Sequence, residues 1–340
     1  MKIWIKYFPL VLGIMLFIGC KNNTVKNTAA VTDPVFQSDP KLKNITEQIS
    51  NSPKDAGLYF ERGTMLHKMQ LDTLAIKDYK MAASLDTGRA EYYSAVGDLL
   101  FENKDISGSV EWIQKAVAKN PTDRKAHLKM AKLFLYIKNY QKAFQEINIV
   151  LMKDVHNPEA YFLKGMVYKD MRDTAKAISN FLTSVQESPD YREAVVQLGL
   201  MYIAKKDPVS LRYLDNAYKM DSTDIFPIFA KGVYYQDKKD FAAAKEEYKK
   251  CILKSTHFAD AYFNMGYILM QEDSVQKAWR QYNIVTKIDP TNPAAYYNRG
   301  LCSEMMDSIK NAVTDYNMAV SLDSSYSSPK EALKRIKGRK

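Results

Sequence analysis

The stretch ADAYFNMGYILMQEDSVQKAWRQYNIVTKIDP, residues 259–290, contains most of one period of this chain. Its Gly266 belongs to a series, Gly63, Gly97, Gly165, Gly199, Gly232, Gly266 and Gly300, with spacings of 34, 68, 34, 33, 34 and 34 residues and Ala131 on the skipped beat. Twelve residues after each beat, or eleven in the fifth unit, stands a small residue: Ala75, Ser109, Ala143, Ala177, Ser210, Ala244, Ala278 and Ala312. Seven further on, short side chains recur as Ala82, Ala116, Val150, Ser184, Ala217, Cys251, Val285 and Ala319. An aromatic often precedes the glycine by four, as Tyr59, Tyr93, Tyr161, Tyr262 and Tyr296.

A fixed period in this range means stacked units, each too small to bury its own apolar face. Two helices joined by a short polar turn fit the spacing. Glycine inside a helix costs about 1 kcal/mol against alanine, so its recurrence needs close helix packing, with alanine in the second helix and aromatics between units. The fold class is all-α, and the function narrows to binding.

The chain resembles the tetratricopeptide repeat family, whose signature positions coincide with Tyr262, Gly266, Leu269, Ala278, Tyr282 and Pro290. The resemblance implies a right-handed superhelical solenoid of about eight helix-turn-helix units over residues 56–326, starting near Ala56, Ala90, Arg124, Pro158, Arg192, Ile225, Ala259 and Pro293. The family's first-helix Trp is replaced by Tyr, His127, Val195 or Ile228, and its terminal Pro survives as Pro121, Pro189 and Pro290. The fifth unit is one residue short around Asp207-Pro208. Residues 41–55, with Leu42, Ile45 and Ile49 at helical spacing, predict an N-terminal capping helix. Residues 327–340 predict a C-terminal one, burying Ala332, Leu333 and Ile336 and ending in a basic tail.

Residues 1–19 read as a signal peptide: Lys2 and Lys6 precede an apolar run, Phe8 to Ile18, too short to span a bilayer. The ending Leu16-Phe17-Ile18-Gly19-Cys20 resembles the bacterial lipoprotein cleavage box, which implies lipid, palmitate included, on Cys20; an uncleaved single-pass anchor is the alternative. No Asp follows Cys20 and no acidic cluster lies near it, so the resemblance implies a Gram-negative envelope lipoprotein on the outer membrane, facing the periplasm. Residues 20–40 carry two prolines and no helical period and read as a tether.

The net charge is +10, and Lys330 to Lys340 contributes six positive charges against one negative. Such a tail suits a solubilising cap at a helix C-terminus, and nucleic acid is not an expected partner. Cys251 and Cys302 sit two units apart, beyond disulfide reach, and read as free core thiols. His67, His127, His156 and His257 are isolated, no glycine-rich phosphate loop exists, and Glu246-Glu247 read as solvated helix face. Neither a catalytic residue, a metal nor a cofactor is expected.

What remains is a ligand surface. In the family the first helices line a groove through positions three and two before the glycine and one after it. Three before, the units give Phe60, Ser94, Leu128, Phe162, Val196, Phe229, Phe263 and Tyr297; Asn264 and Asn298 stand two before, and Tyr267 one after. Asparagine donates to and accepts from a peptide backbone, and neighbouring rings supply contact area. Packing against the next unit is the other use for these rings. Lys125, Lys129 and Lys132 form a second patch, and the first two match part of the family's carboxylate clamp, but Phe60, Thr64 and Ala95 replace its other members. The expected ligand is therefore a protein or peptide segment of envelope proteins, bound by a tethered scaffold of unknown oligomeric state. A periplasmic glycan and a separate enzyme needing a regulatory subunit are the alternatives.

Overall fold

A computed structural model describes residues 34–37 and 39–338, which form nineteen α-helices and no strand. Among the described residues no helix is long and apolar enough to cross a membrane. Cys20 and residues 21–33 lie outside them.

The chain divides into two segments, the first ending at Asp123. In the first, α1 (Pro34–Gln37) and α2 (Pro40–Asn51) precede two hairpins, α3 (Ala56–Lys68) with α4 (Asp72–Leu85) and α5 (Ala90–Glu102) with α6 (Ile106–Lys119). Phe36 of α1 is buried in a core with Leu42, Ile45, Leu66, Tyr79 and Val96. Residues 34–37 are therefore packed rather than tether: Phe36 docks under the Arg62 guanidinium, 4.6 Å from its ring centre. A proline-flanked four-residue helix has too few positions to show a period, which is why it escapes the pattern.

The second segment holds six hairpins: α7 (Arg124–Tyr136) and α8 (Tyr140–Lys153), α9 (Pro158–Asp170) and α10 (Thr174–Glu187), α11 (Arg192–Ala204) and α12 (Val209–Met220), α13 (Phe226–Asp237) and α14 (Phe241–Lys254), α15 (Ala259–Gln271) and α16 (Val275–Ile288), α17 (Pro293–Met305) and α18 (Ile309–Leu322). The last helix, α19 (Ser327–Lys337), buries Ala332 and Ile336, with Leu333 half-buried. In the third of the six, Val209 starts α12 directly after Pro208.

Local chemistry fixes the helix ends. Asp105, Asn139, Asp173 and Asp240 accept hydrogen bonds from backbone N–H groups in the first turn of the second helices. Each first helix ends in a left-handed residue seven after the beat: Gln70, Lys104, Lys138, Arg172, Lys206, Lys239, Asp273 and Asp307. Around Lys104, for example, Asp105 N–H donates to Leu100 O at 2.8 Å, closing the first helix.

Each signature glycine is covered by the side chain about sixteen residues on. A Cβ on Gly63, Gly165, Gly232, Gly266 or Gly300 would come within 2.9 Å of Tyr79, Phe181, Tyr248, Tyr282 or Tyr316, and on Gly97 within 2.5 Å of Ile113. The alanines twelve residues after the beats are fully buried. Close approach is thus a flat ring laid on a bare backbone.

Ion pairs recur too, at one before and fifteen after the beat. Arg62 grips Asp78 with two bonds of 2.6 and 2.8 Å, Arg299 grips Asp315, and Lys231 lies 3.5 Å from Glu247. Each cation also reaches back to the preceding helix, Arg62 to Thr46, Lys231 to Asp215 and Arg299 to Asn283. Burial lowers the Lys231 pKa, yet the hydrogen bond to Asp215 and the charges of Glu247 and Asp215 outweigh it and raise it overall. Glu247 is therefore not on the solvated face: it is 7% exposed and also meets Lys250 at 2.9 Å.

Candidate ligand-binding groove

The six proposed groove residues of the C-terminal hairpins fall into two structural groups. Phe229, Phe263 and Tyr297 are half-buried wedges. Phe229 lies between Tyr248 and Phe258, with ring centres 5.7 and 5.2 Å away, and Tyr297 lies between Tyr316 and Tyr326 at 5.8 and 5.4 Å. Phe263 meets Tyr282 edge-on at 5.4 Å. One ring at this beat thus bridges the glycine-covering ring of its own hairpin to the residue that opens the next helix.

Tyr267, in contrast, is 43% exposed and lines a cleft of 310 Å³ with Gln236, Asp237, Lys239, Phe241 and Gln271. Its neighbour Asn264 donates through Nδ2 to the Tyr248 hydroxyl at 3.2 Å, and that hydroxyl donates to Gln236 Oε1 at 2.9 Å. Burial pushes the Tyr248 hydroxyl far above the ordinary tyrosine range, so it stays protonated and donates. Asn298 spends its amide on Ala294 O of its own helix, at 2.8 Å.

Lys125 and Lys129 lie on α7, three hairpins before α13, and the structure does not bring them to the cleft. Lys125 is exposed and Lys129 half-buried, while Lys132 pairs with Glu159 at 2.6 Å. Cys251 and Cys302 are free and buried, and burial pushes both thiols up to about 12. No group of three or more His, Cys, Asp or Glu among the described residues is placed to hold a metal ion.

The glycine-covering tyrosines, Tyr79, Tyr248, Tyr282 and Tyr316, were not among the residues singled out in the sequence for ligand contact. The available signal was a hydroxyl at a beat where phenylalanine, leucine or isoleucine packs as well, as in Phe181, Leu214 and Ile113.

Comparison with known proteins agrees with this geometry. Residues 158–191 and 228–253 match the model of the tetratricopeptide repeat. Stress-induced-phosphoprotein 1 of Caenorhabditis elegans is 22% identical over 220 residues, 64% of this chain and 68% of that protein. BBSome complex member BBS4 of Bos taurus is 26% identical over 52% of this chain, and a tetratricopeptide repeat protein 21 homolog of C. elegans is 24% identical over 53%. The chain spans 34% and 13% of the lengths of these last two. Among solved structures, a tetratricopeptide repeat protein from Parabacteroides merdae aligns with a TM-score of 0.54 at 16% identity, covering 72% of this chain and 97% of that one. The Cut9–Hcn1 assembly of the APC/C aligns at 0.53 and 14% identity, over 87% and 58%. The chain carries tetratricopeptide repeats, and its fold is a tetratricopeptide solenoid.

Proposed function

We propose that this protein is a non-catalytic scaffold of the bacterial cell envelope, tethered through lipid on Cys20, that binds protein or peptide segments along the first helices of its C-terminal hairpins. One observation carries the binding reading: Tyr267 stands exposed on a 310 Å³ cleft, on the same helix as Asn264. An exposed ring fixed on a rigid helix is an anchor that loses little entropy on binding. The cleft's polar lining, Gln236, Asp237, Lys239 and Gln271, supplies donors and acceptors of both signs. The BBSome relative is by name a member of a complex, in keeping with a scaffold.

The test is crosslinking of the tethered protein in its own cells, with identification of the captured chains and comparison of variants. Tyr267→Ala should reduce capture about thirtyfold, the roughly 2 kcal/mol of a lost aromatic anchor, with melting unchanged because the ring is exposed. Joint replacement of Lys125 and Lys129 by Ala should weaken capture mainly at low salt. Undiminished capture by Tyr267→Ala moves the binding surface elsewhere, and capture of glycan fragments in place of chains overturns the peptide reading.

A further inference from the structure

The three recurring ion pairs share one arrangement, in which a cation on a first helix joins its own second helix to the helix before it. Arg62 stands between Asp78 and Thr46, Lys231 between Glu247 and Asp215, and Arg299 between Asp315 and Asn283. In the first and last, the guanidinium lies over the ring of the tyrosine three residues before it, Tyr59 at 5.7 Å and Tyr296 at 5.3 Å. In the middle one the tyrosine is replaced by Ile228 and the guanidinium by a slimmer ammonium. The missing ring and fork leave a cleft of 320 Å³ between α12, α13 and α14, with Tyr218, Ile228 and Lys231 in its wall.

Charge sets the same place apart. Three and seven residues beyond the paired carboxylate, the first and last arrangements carry exposed apolar side chains, Met81 and Leu85 in one, Met318 and Leu322 in the other. The middle one carries Lys250 and Lys254 there, and both line the cleft. Lys250 and Lys231 share Glu247 Oε1, at 2.9 and 3.5 Å, and Lys231 also meets Asp215 at 2.7 Å. Lys254 pairs with no carboxylate among the described residues: it donates to Ser222 O at 3.3 Å and lies over the Tyr218 ring, 5.3 Å from its centre. Three ammonium groups therefore face two carboxylates, and the unmatched positive charge stands at Lys254, beside an aromatic ring.

We propose that this cleft binds a small organic carboxylate, its anionic end on Lys254 and Lys250 and its apolar body against Tyr218 and Ile228. An excess of one positive charge suits a monoanion, and a volume at the low end of small-ligand pockets suits a short body. Apolar walls beside the ammonium groups lower the local dielectric and strengthen the attraction. The cleft shares no lining residue with the one at Tyr267, so the site does not depend on the peptide-binding reading.

The test titrates hexanoate, acetate, hexylamine and inorganic phosphate into the full chain, followed by ligand-observed NMR. Hexanoate should saturate one site. Acetate keeps the charge without the body and should bind about tenfold more weakly or worse. Hexylamine, with the body and the opposite charge, should not bind. Lys254→Leu installs the residue found at Leu85 and Leu322 and should weaken hexanoate about tenfold or more, the worth of a charge-assisted hydrogen bond. Its melting should stay at the native value, because Lys254 is exposed. Lys254→Arg keeps the charge and should retain most of the affinity, whereas Lys231→Arg keeps the charge but fills the cleft and should lose it. Equal binding of hexanoate by the native chain and Lys254→Leu puts the ligand elsewhere and overturns the site. Phosphate or hexylamine binding as tightly as hexanoate overturns the carboxylate assignment, and hexanoate that never saturates overturns the proposal outright.

Discussion

Gly266 shows at the residue scale what the repeat demands. A Cβ there would stand 2.9 Å from Cε1 and Cζ of Tyr282, closer than real side chains approach, and Tyr282 is itself fully packed. Gly266→Leu should therefore cost about 1–3 kcal/mol or more by overpacking. Gly88→Ala, in an exposed turn where the added carbon meets only Asp86 Oδ1 at 3.4 Å, should stay within about 0.5 kcal/mol of native. Urea melts of the two variants check the order, and the reverse order would remove the packing role of the glycine. The glycine beat was legible in the sequence because sterics permit no substitute at a ring-covered backbone. The chemistry of the covering ring was not legible. Periodicity locates Tyr282 in the core but cannot say whether its oxygen meets Gln236, as Tyr248 does, or nothing.

Turns and second helices carry the argument at the element scale. All eight turns within hairpins place a non-glycine residue in the left-handed region, mostly Lys or Arg. Such a residue costs about 1–2 kcal/mol where glycine pays no steric penalty, offset in part by the backbone freedom glycine loses on folding. Lys104→Gly should therefore raise stability by about 0.5–1 kcal/mol, measured by denaturant unfolding, and a loss of stability would refute the strain. The turns themselves were expected from the spacing, but their left-handed residues were invisible in the sequence because the polar residues found there are those expected of any exposed loop. Glu247 was misread for a related reason. A second helix in a stacked array is covered by its own first helix and by neighbouring hairpins, so its buried band is wider than a two-layer pattern suggests. Within that wider band a carboxylate survives by pairing with Lys231 and Lys250. In general, removing one partner of a well-buried pair costs about 3–5 kcal/mol. The Arg62–Asp78 and Arg299–Asp315 pairs each join the two helices of one hairpin, and the same cations' bonds to Thr46 and Asn283 tie that hairpin to the helix before it.

At the scale of the whole molecule, the proposed lipid on Cys20 sets a reach from the membrane that the N-terminal end of the fold defines. In a stacked repeat array each unit contacts only its neighbours, so ordering can proceed outward from a docked end. At the N-terminal end that docking begins no later than α1, where Phe36 enters the core beneath Arg62. Fourteen residue steps separate Cys20 from Pro34. At roughly 3.5 Å per residue they span at most about 50 Å, so a lipid on Cys20 would keep the first hairpins within that distance of the bilayer surface. Among the described residues no helix is long and apolar enough to cross a membrane. Cys20→Ala should therefore abolish metabolic labelling by palmitate and leave the protein either unprocessed or released into the soluble fraction, with the melting temperature of its repeats unchanged. Retained label in that variant would sink the lipid anchor, and retained membrane association without label would point instead to an uncleaved apolar run at Phe8 to Ile18.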